Sequence, residues 1–102
     1  MEIKYKKTSQ SLTIYLYGEL DEYSATSARV LIDRLLLDNA NTEKVVFDLS
    51  GISFMDSTGI GLLIGRYKKL KQINLPSYIT GVSINTDKVL GLSGIYNIMP
   101  KI

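Results

Sequence analysis

Hydrophobic residues along this chain change their spacing several times, and those changes limit the fold more than any single motif. Leu12, Ile14 and Leu16 alternate with Thr13, Tyr15 and Tyr17, the period of a strand with one buried and one aromatic face. Ala25, Ala28, Leu31, Ile32, Leu35 and Leu36 then recur at helical spacing, with Arg29, Asp33 and Arg34 mostly on the other side. Val45-Val46-Phe47 is an unbroken apolar run rich in β-branched residues, which predicts a central strand covered on both faces. Ile60, Leu63, Ile64 and Tyr67 return to helical spacing.

Turn and capping residues set the boundaries. Ile3–Tyr5 and Leu12–Tyr17 read as strands joined by Thr8-Ser9-Gln10-Ser11, with Gly18 ending the second. Ser24 is the expected N-cap of the first helix, and Asp38-Asn39-Ala40-Asn41 ends it. A strand over Lys44–Leu49 is expected to turn at Ser50-Gly51, after which Ile52 to Met55 return to the core, with Phe54 and Met55 fixing the chain on the sheet. Asp56 caps a helix from Ser57 to about Gln72, which stops near Asn74-Leu75-Pro76. Then follow a strand over Tyr78–Val82 and a short helix over Asn85–Leu92, with Val89, Leu90 and Leu92 inward. Ser93-Gly94 closes that helix, and a last strand covers Ile95–Met99. The order β-β-α-β-α-β-α-β predicts an α/β fold with a mixed, mainly parallel sheet and helices packed on it. At 102 residues the chain is expected to form one domain over residues 1–102.

Two missing residue types narrow the chemistry. Without Cys there is no disulfide, thiolate nucleophile or Cys-ligated metal, and without His there is no usual general base. The acids are scattered without EF-hand spacing, so no metal site and no cofactor are expected. A net charge of +2 is too small to argue for nucleic acid or a membrane. Arg66, Lys68, Lys69 and Lys71 form a basic outer and C-terminal region of the second helix, which a solvated helix end explains as well as nucleic-acid binding does. A charged N-terminus without a following apolar run predicts no signal peptide, and a cytoplasmic protein.

The segment Phe54-Met55-Asp56-Ser57-Thr58-Gly59-Ile60-Gly61 concentrates the functional signal. Ser57 and Thr58 occupy the first helical turn, beside unpaired N–H groups and the positive end of the helix dipole. A phosphate added there is tolerated by the helix and changes what the surface can dock. Read by itself, the segment is more simply a good helix cap, since capping residues are common at every helix start. Gly59, Gly61 and Gly65 each cost up to roughly 1 kcal/mol relative to alanine within a helix. They call for a close approach, either of the helix to the sheet or of a partner's backbone to the helix.

That segment, continuing through Leu62-Leu63-Ile64-Gly65-Arg66-Tyr67-Lys68-Lys69-Leu70-Lys71, closely resembles the core of the STAS-domain anti-sigma factor antagonists, most of all the sporulation type. Gly18-Glu19-Leu20-Asp21 and Leu92-Ser93-Gly94-Ile95 match further family motifs in the same order. The resemblance implies a STAS fold, here without the family's C-terminal helix, and a role as binding partner and substrate rather than enzyme. It implies that the unphosphorylated chain binds an anti-sigma factor with serine kinase activity and frees the sigma factor. Phosphorylation of Ser57 then weakens the complex, and a serine phosphatase reverses it. Asp21, Asp56, Thr58, Gly59 and Ile60 carry over as the partner-binding surface around Ser57. The chain is expected to be a monomer or weak dimer. Alternatives are a STAS module of another class, from a transporter or a stress-signalling scaffold, and a weak nucleotide-binding domain; the absent Walker lysine argues against the last.

Overall fold

A computed structural model describes all residues from Met1 to Ile102. Four strands form one sheet in the order β1-β2-β3-β4: β1 Glu2–Lys7, β2 Ser11–Leu20, β3 Lys44–Met55 and β4 Ser77–Thr80. The first two are antiparallel, and β2–β3 and β3–β4 are parallel. Helices α1 (Ala25–Asp38), α2 (Ser57–Gln72) and α3 (Ile84–Ser93) complete the α/β fold. None of them is long and apolar enough to cross a membrane.

The sheet is mixed and mainly parallel, as its strand and helix pattern predicts, but its core lies on one face. Leu12, Ile14 and Leu16 join Val45, Phe47, Leu49 and Ile79 in a cluster with residues from all three helices, whereas Val46 stays outside it. Val46 is nevertheless buried, flanked in register by Thr13 and Tyr78. The continuous apolar run therefore conceals an ordinary in–out alternation.

Three boundaries differ from the sequence reading. The second strand runs past Gly18, whose φ of 108° bends the strand without ending it. Ser50-Gly51 forms a bulge inside β3, because Tyr15 pairs with Asp48 while Tyr17 pairs with Gly51. Asp48 holds the bulge by accepting from the Ser50 N–H at 2.9 Å and its hydroxyl at 2.6 Å. A Cβ on Gly51 would strike the Tyr17 ring and come within 2.8 Å of the Leu16 carbonyl oxygen, so only glycine fits.

The expected last strand over Ile95–Met99 is absent. Gly94, at φ 79°, closes α3, and Ile95–Asn97 form a 3-10 turn continued by a bond from the Met99 N–H to the Ile95 carbonyl at 2.8 Å. Ile95 and Met99 are buried while Asn97 between them is exposed, which fits helical winding, since in a strand all three would share one face. Strand-like pairing comes only after it: Ile79 donates to Pro100 O at 3.0 Å and accepts from the Ile102 N–H at 2.9 Å. Leu90 is buried in α3, whereas Leu92 is 92% exposed and faces solvent. Tyr96 donates to Asp87 Oδ1 at 2.6 Å and Lys101 approaches the same oxygen at 2.9 Å, tying α3 to the C-terminal segment. Both bonds favour the carboxylate and hold Asp87 below its usual range, while burial and Asp87 push the Tyr96 phenol well above its own.

Candidate functional site

The C-terminal ends of β2 and β3 lie side by side, with Glu19 opposite Phe54 and Leu20 opposite Met55. The loops that follow carry Asp21 and Asp56-Ser57, so one end of the sheet collects the acids and hydroxyls singled out above. Outside the carboxyl ends of parallel strands is where α/β sheets commonly place their sites.

Asp56 is an N-cap in geometry as well as in sequence. Its backbone is extended, and Oδ1 accepts from the Thr58 N–H at 2.9 Å and the Gly59 N–H at 3.2 Å. Its own N–H reaches Leu20 O at 3.4 Å, linking the cap to the end of β2. Ser57, the first helical residue, is exposed, and its hydroxyl takes no part in these bonds. Thr58 is exposed and Ile60 half-buried.

Gly59 has an inward role. It is buried, and a Cβ there would lie 2.7 Å from Met55 Cγ and 2.8 Å from Leu20 O. It lets α2 approach the sheet closely. The Cβ positions of Gly61 and Gly65 meet nothing within 4 Å, so internal packing explains only one of the three helical glycines.

Asp21 takes the capping work that the sequence assigns to Ser24. Its Oδ1 accepts from the N–H groups of Tyr23 at 3.0 Å and Ser24 at 3.1 Å, and its carbonyl accepts from the Ala25 N–H at 2.9 Å. Ser24 already has helical dihedrals and gives no side-chain cap; its hydroxyl donates to Glu19 O at 2.8 Å. Asp21 thus fixes the loop beside α2.

Several side chains depart from their expected surroundings. Phe54 is 51% exposed rather than anchored in the core, and Tyr23, on the Asp21 loop, is 88% exposed. Tyr23 lies in a loop outside any alternating segment, and Phe54 is turned outward by a second register shift in β3, where Gly18 pairs with Ile52 and Glu19 with Phe54. The buried stripe of α2 is Gly59, Leu62, Leu63, Arg66 and Leu70, rotated from the expected one.

Arg66 is only 5% exposed and sits against α1, not on an outer basic face. Its Nε lies 2.8 Å from Asp33 Oδ1, within ion-pair range but off the line of a hydrogen bond, and its buried Nη1 has no partner. Burial lowers the Arg66 pKa, Asp33 opposes that shift, and the like charge of Arg29 adds to it. Lys69 reaches the other Asp33 oxygen at 3.0 Å, and Lys71 lies over the Tyr67 ring. The four basic residues therefore share no single surface.

A model of the STAS domain matches residues 2–102. The anti-sigma F factor antagonist of Paenibacillus polymyxa is 33% identical over 89 residues, spanning 87% of this chain and 75% of that protein. The chain belongs to the STAS-domain anti-sigma factor antagonists. An anti-sigma-B factor antagonist of Staphylococcus aureus is likewise 33% identical, over 82 residues covering 80% of this STAS chain and 74% of the relative. The unphosphorylated form of the anti-sigma factor antagonist SpoIIAA superimposes with a TM-score of 0.80 at 26% identity, across 99% of this chain and 88% of that one. The phosphorylated form of SpoIIAA gives 0.72 at 25% identity, across 99% and 91%.

Proposed function

We propose that this STAS protein is a cytoplasmic anti-sigma factor antagonist that docks an anti-sigma factor through the start of α2 and is switched off by phosphorylation of Ser57. Its partner is an anti-sigma factor with serine kinase activity, and a serine phosphatase restores the docking form. The chain receives the phosphate and catalyses nothing. The observation that carries this reading is the placement of Ser57: exposed, with its hydroxyl uncommitted, at a helix start already capped by Asp56.

Because Asp56 occupies the Thr58 and Gly59 amides, a phosphate on Ser57 leaves the cap intact and projects outward. The helix dipole tolerates its charge of about −1.5 to −2. In the unmodified protein, Asp21 and Asp56 give the face an acidic character that suits basic groups on the partner, with Thr58 and Ile60 completing it. Exposed Phe54 and Tyr23 supply apolar anchors at its edge. Phosphorylation concentrates like charge there and adds a group that must be desolvated on docking. A loss of about 3 kcal/mol would weaken the complex roughly a hundredfold.

Calorimetric titration of the anti-sigma factor from the same genome tests this. Ser57→Ala should bind as the unmodified protein does, and Ser57→Asp should bind at least tenfold more weakly. Equal affinity for Ser57→Asp would sink the charge mechanism.

A further inference from the structure

β3 outlasts its neighbour on one side. Its pairing with β4 ends where Asp48 meets Thr80, whereas its pairing with β2 continues to Met55. The chain turns away after β4 at Gly81 and returns as α3, which lies against β3 without pairing with it. On the side away from β2, the backbone of Ser53, Phe54 and Met55 therefore has no partner strand, and no loop hydrogen bond reaches it. Such an edge presents unpaired N–H and C=O groups to any chain that can lie along it.

A cleft of about 220 Å³ runs beside this edge, with Ser53, Phe54 and Met55 on one wall and Asn85, Thr86 and Val89 of α3 on the other. Phe54 is 51% exposed and Val89 37%, so apolar surface meets water on both walls. Leu92, the neighbour of Val89 at i+3 on the helix surface, is 92% exposed and continues the second wall. The Ser57 switch uses neither Val89 nor Leu92. Main-chain donors and acceptors between apolar walls are the chemistry of strand addition, in which an extended peptide pairs with a free edge and seats alternate side chains in pockets. The cleft is smaller than most small-molecule sites and suits one or two apolar side chains. The edge is also short, and the register shift beside Gly18 and Glu19 disrupts it, which discourages pairing with a long strand of a second copy.

The position of the edge identifies its occupant. Successive Cα atoms are about 3.8 Å apart, so Phe54 lies no more than about 11 Å from Ser57. A standard interface covers about 800 Å² on each partner, or roughly 30 Å across, so a partner centred on Ser57 also covers Phe54. We infer that an extended segment of the anti-sigma factor lies along β3 from Ser53 to Met55 and seats an apolar side chain between Phe54 and Val89. This rests on the reading that the anti-sigma factor docks at the start of α2. Asp56, at the end of the edge, favours a basic residue next to that apolar one in the partner's segment.

Amide hydrogen exchange of the full chain, with and without the anti-sigma factor from the same genome, provides the test together with calorimetric titration. Binding should slow exchange at least tenfold at one or more of the Ser53, Phe54 and Met55 amides. The double variant Val89→Ala, Leu92→Ala should bind about tenfold more weakly, the loss expected when interface anchors are truncated. Both residues are exposed and alanine favours a helix, so the fold of α3 is kept, and circular dichroism of the free variant checks this. If Ser57→Asp weakens the complex while the double variant binds normally and these amides exchange unchanged, the edge inference fails and the Ser57 reading stands. If the anti-sigma factor does not bind the unaltered protein, both fail. Protection of the same amides that grows with protein concentration, without the partner, would assign the edge to a second copy and overturn the inference.

Discussion

Replacing Gly59, Gly61 and Gly65 by alanine, one at a time, should have opposite effects within a single helix. At Gly59 the new methyl group lies 2.7 Å from Met55 Cγ and 2.8 Å from the Leu20 carbonyl oxygen. Met55 can move, but Leu20 O belongs to the backbone at the end of β2, so α2 must lift from the sheet. Overpacking of this kind costs about 1–3 kcal/mol, and helix propensity returns up to about 1 kcal/mol, leaving a net loss of about 0–2 kcal/mol. At Gly61 and Gly65 only the propensity term operates, because nothing lies within 4 Å, and each alanine should stabilise by about 0.5–1 kcal/mol. Urea denaturation followed by circular dichroism measures all three, and each kilocalorie should move the thermal midpoint by about 4–8 °C in a domain of this size. If Gly59→Ala stabilised the protein as much as the other two, the close approach of α2 to β2 would be refuted.

Other substitutions probe the same framework. Asp56→Ala removes the acceptor for the Thr58 and Gly59 amides and should cost about 1 kcal/mol in urea denaturation, whereas Asp56→Asn should cost much less. Asp33→Ala strands the buried Arg66 charge and should cost about 3 kcal/mol, the low end for a broken buried pair because Asp33 is partly exposed. Lys69→Ala, on the exposed side of the same carboxylate, should cost no more than about 1 kcal/mol. The bonds from Tyr96 and Lys101 lower the Asp87 pKa below its ordinary 3.8, so their stabilising effect is present above that value and fades as pH falls through the folded-state pKa. Acid titration of stability should therefore be shallower below pH 3.8 in Asp87→Asn than in the unaltered protein.

Local signals made part of this structure legible. The bounds of α2, Ser57 to Gln72, follow from Asp56 before it and Asn74-Leu75-Pro76 after it, because capping acts within one turn. The alternation in β2 likewise assigned Leu12, Ile14 and Leu16 to the core. Features that depend on distant residues were not legible. Arg66 looked like one more surface cation until Asp33, on another helix, drew it inward. Ser50-Gly51 has turn composition, but pairing with β2 absorbs it as a bulge, and a second register shift at Ser53 leaves Phe54 exposed. Ile95 to Met99 suits a strand by composition, yet Ile95 and Met99 are buried with Asn97 exposed between them, and the segment winds into a helical turn. Asp21 was visible as a loop acid near the site, while its hold on the Tyr23 and Ser24 amides depends on the path of the loop.

The most direct test of the phosphoswitch is to incubate the protein with ATP and the anti-sigma kinase from the same genome, then map the modified residue by mass spectrometry. One phosphate should appear, on Ser57, and Ser57→Ala should remain unmodified. Phosphate on Thr58 instead, or no phosphate with a kinase shown to be active, would contradict the assignment of Ser57 as the acceptor.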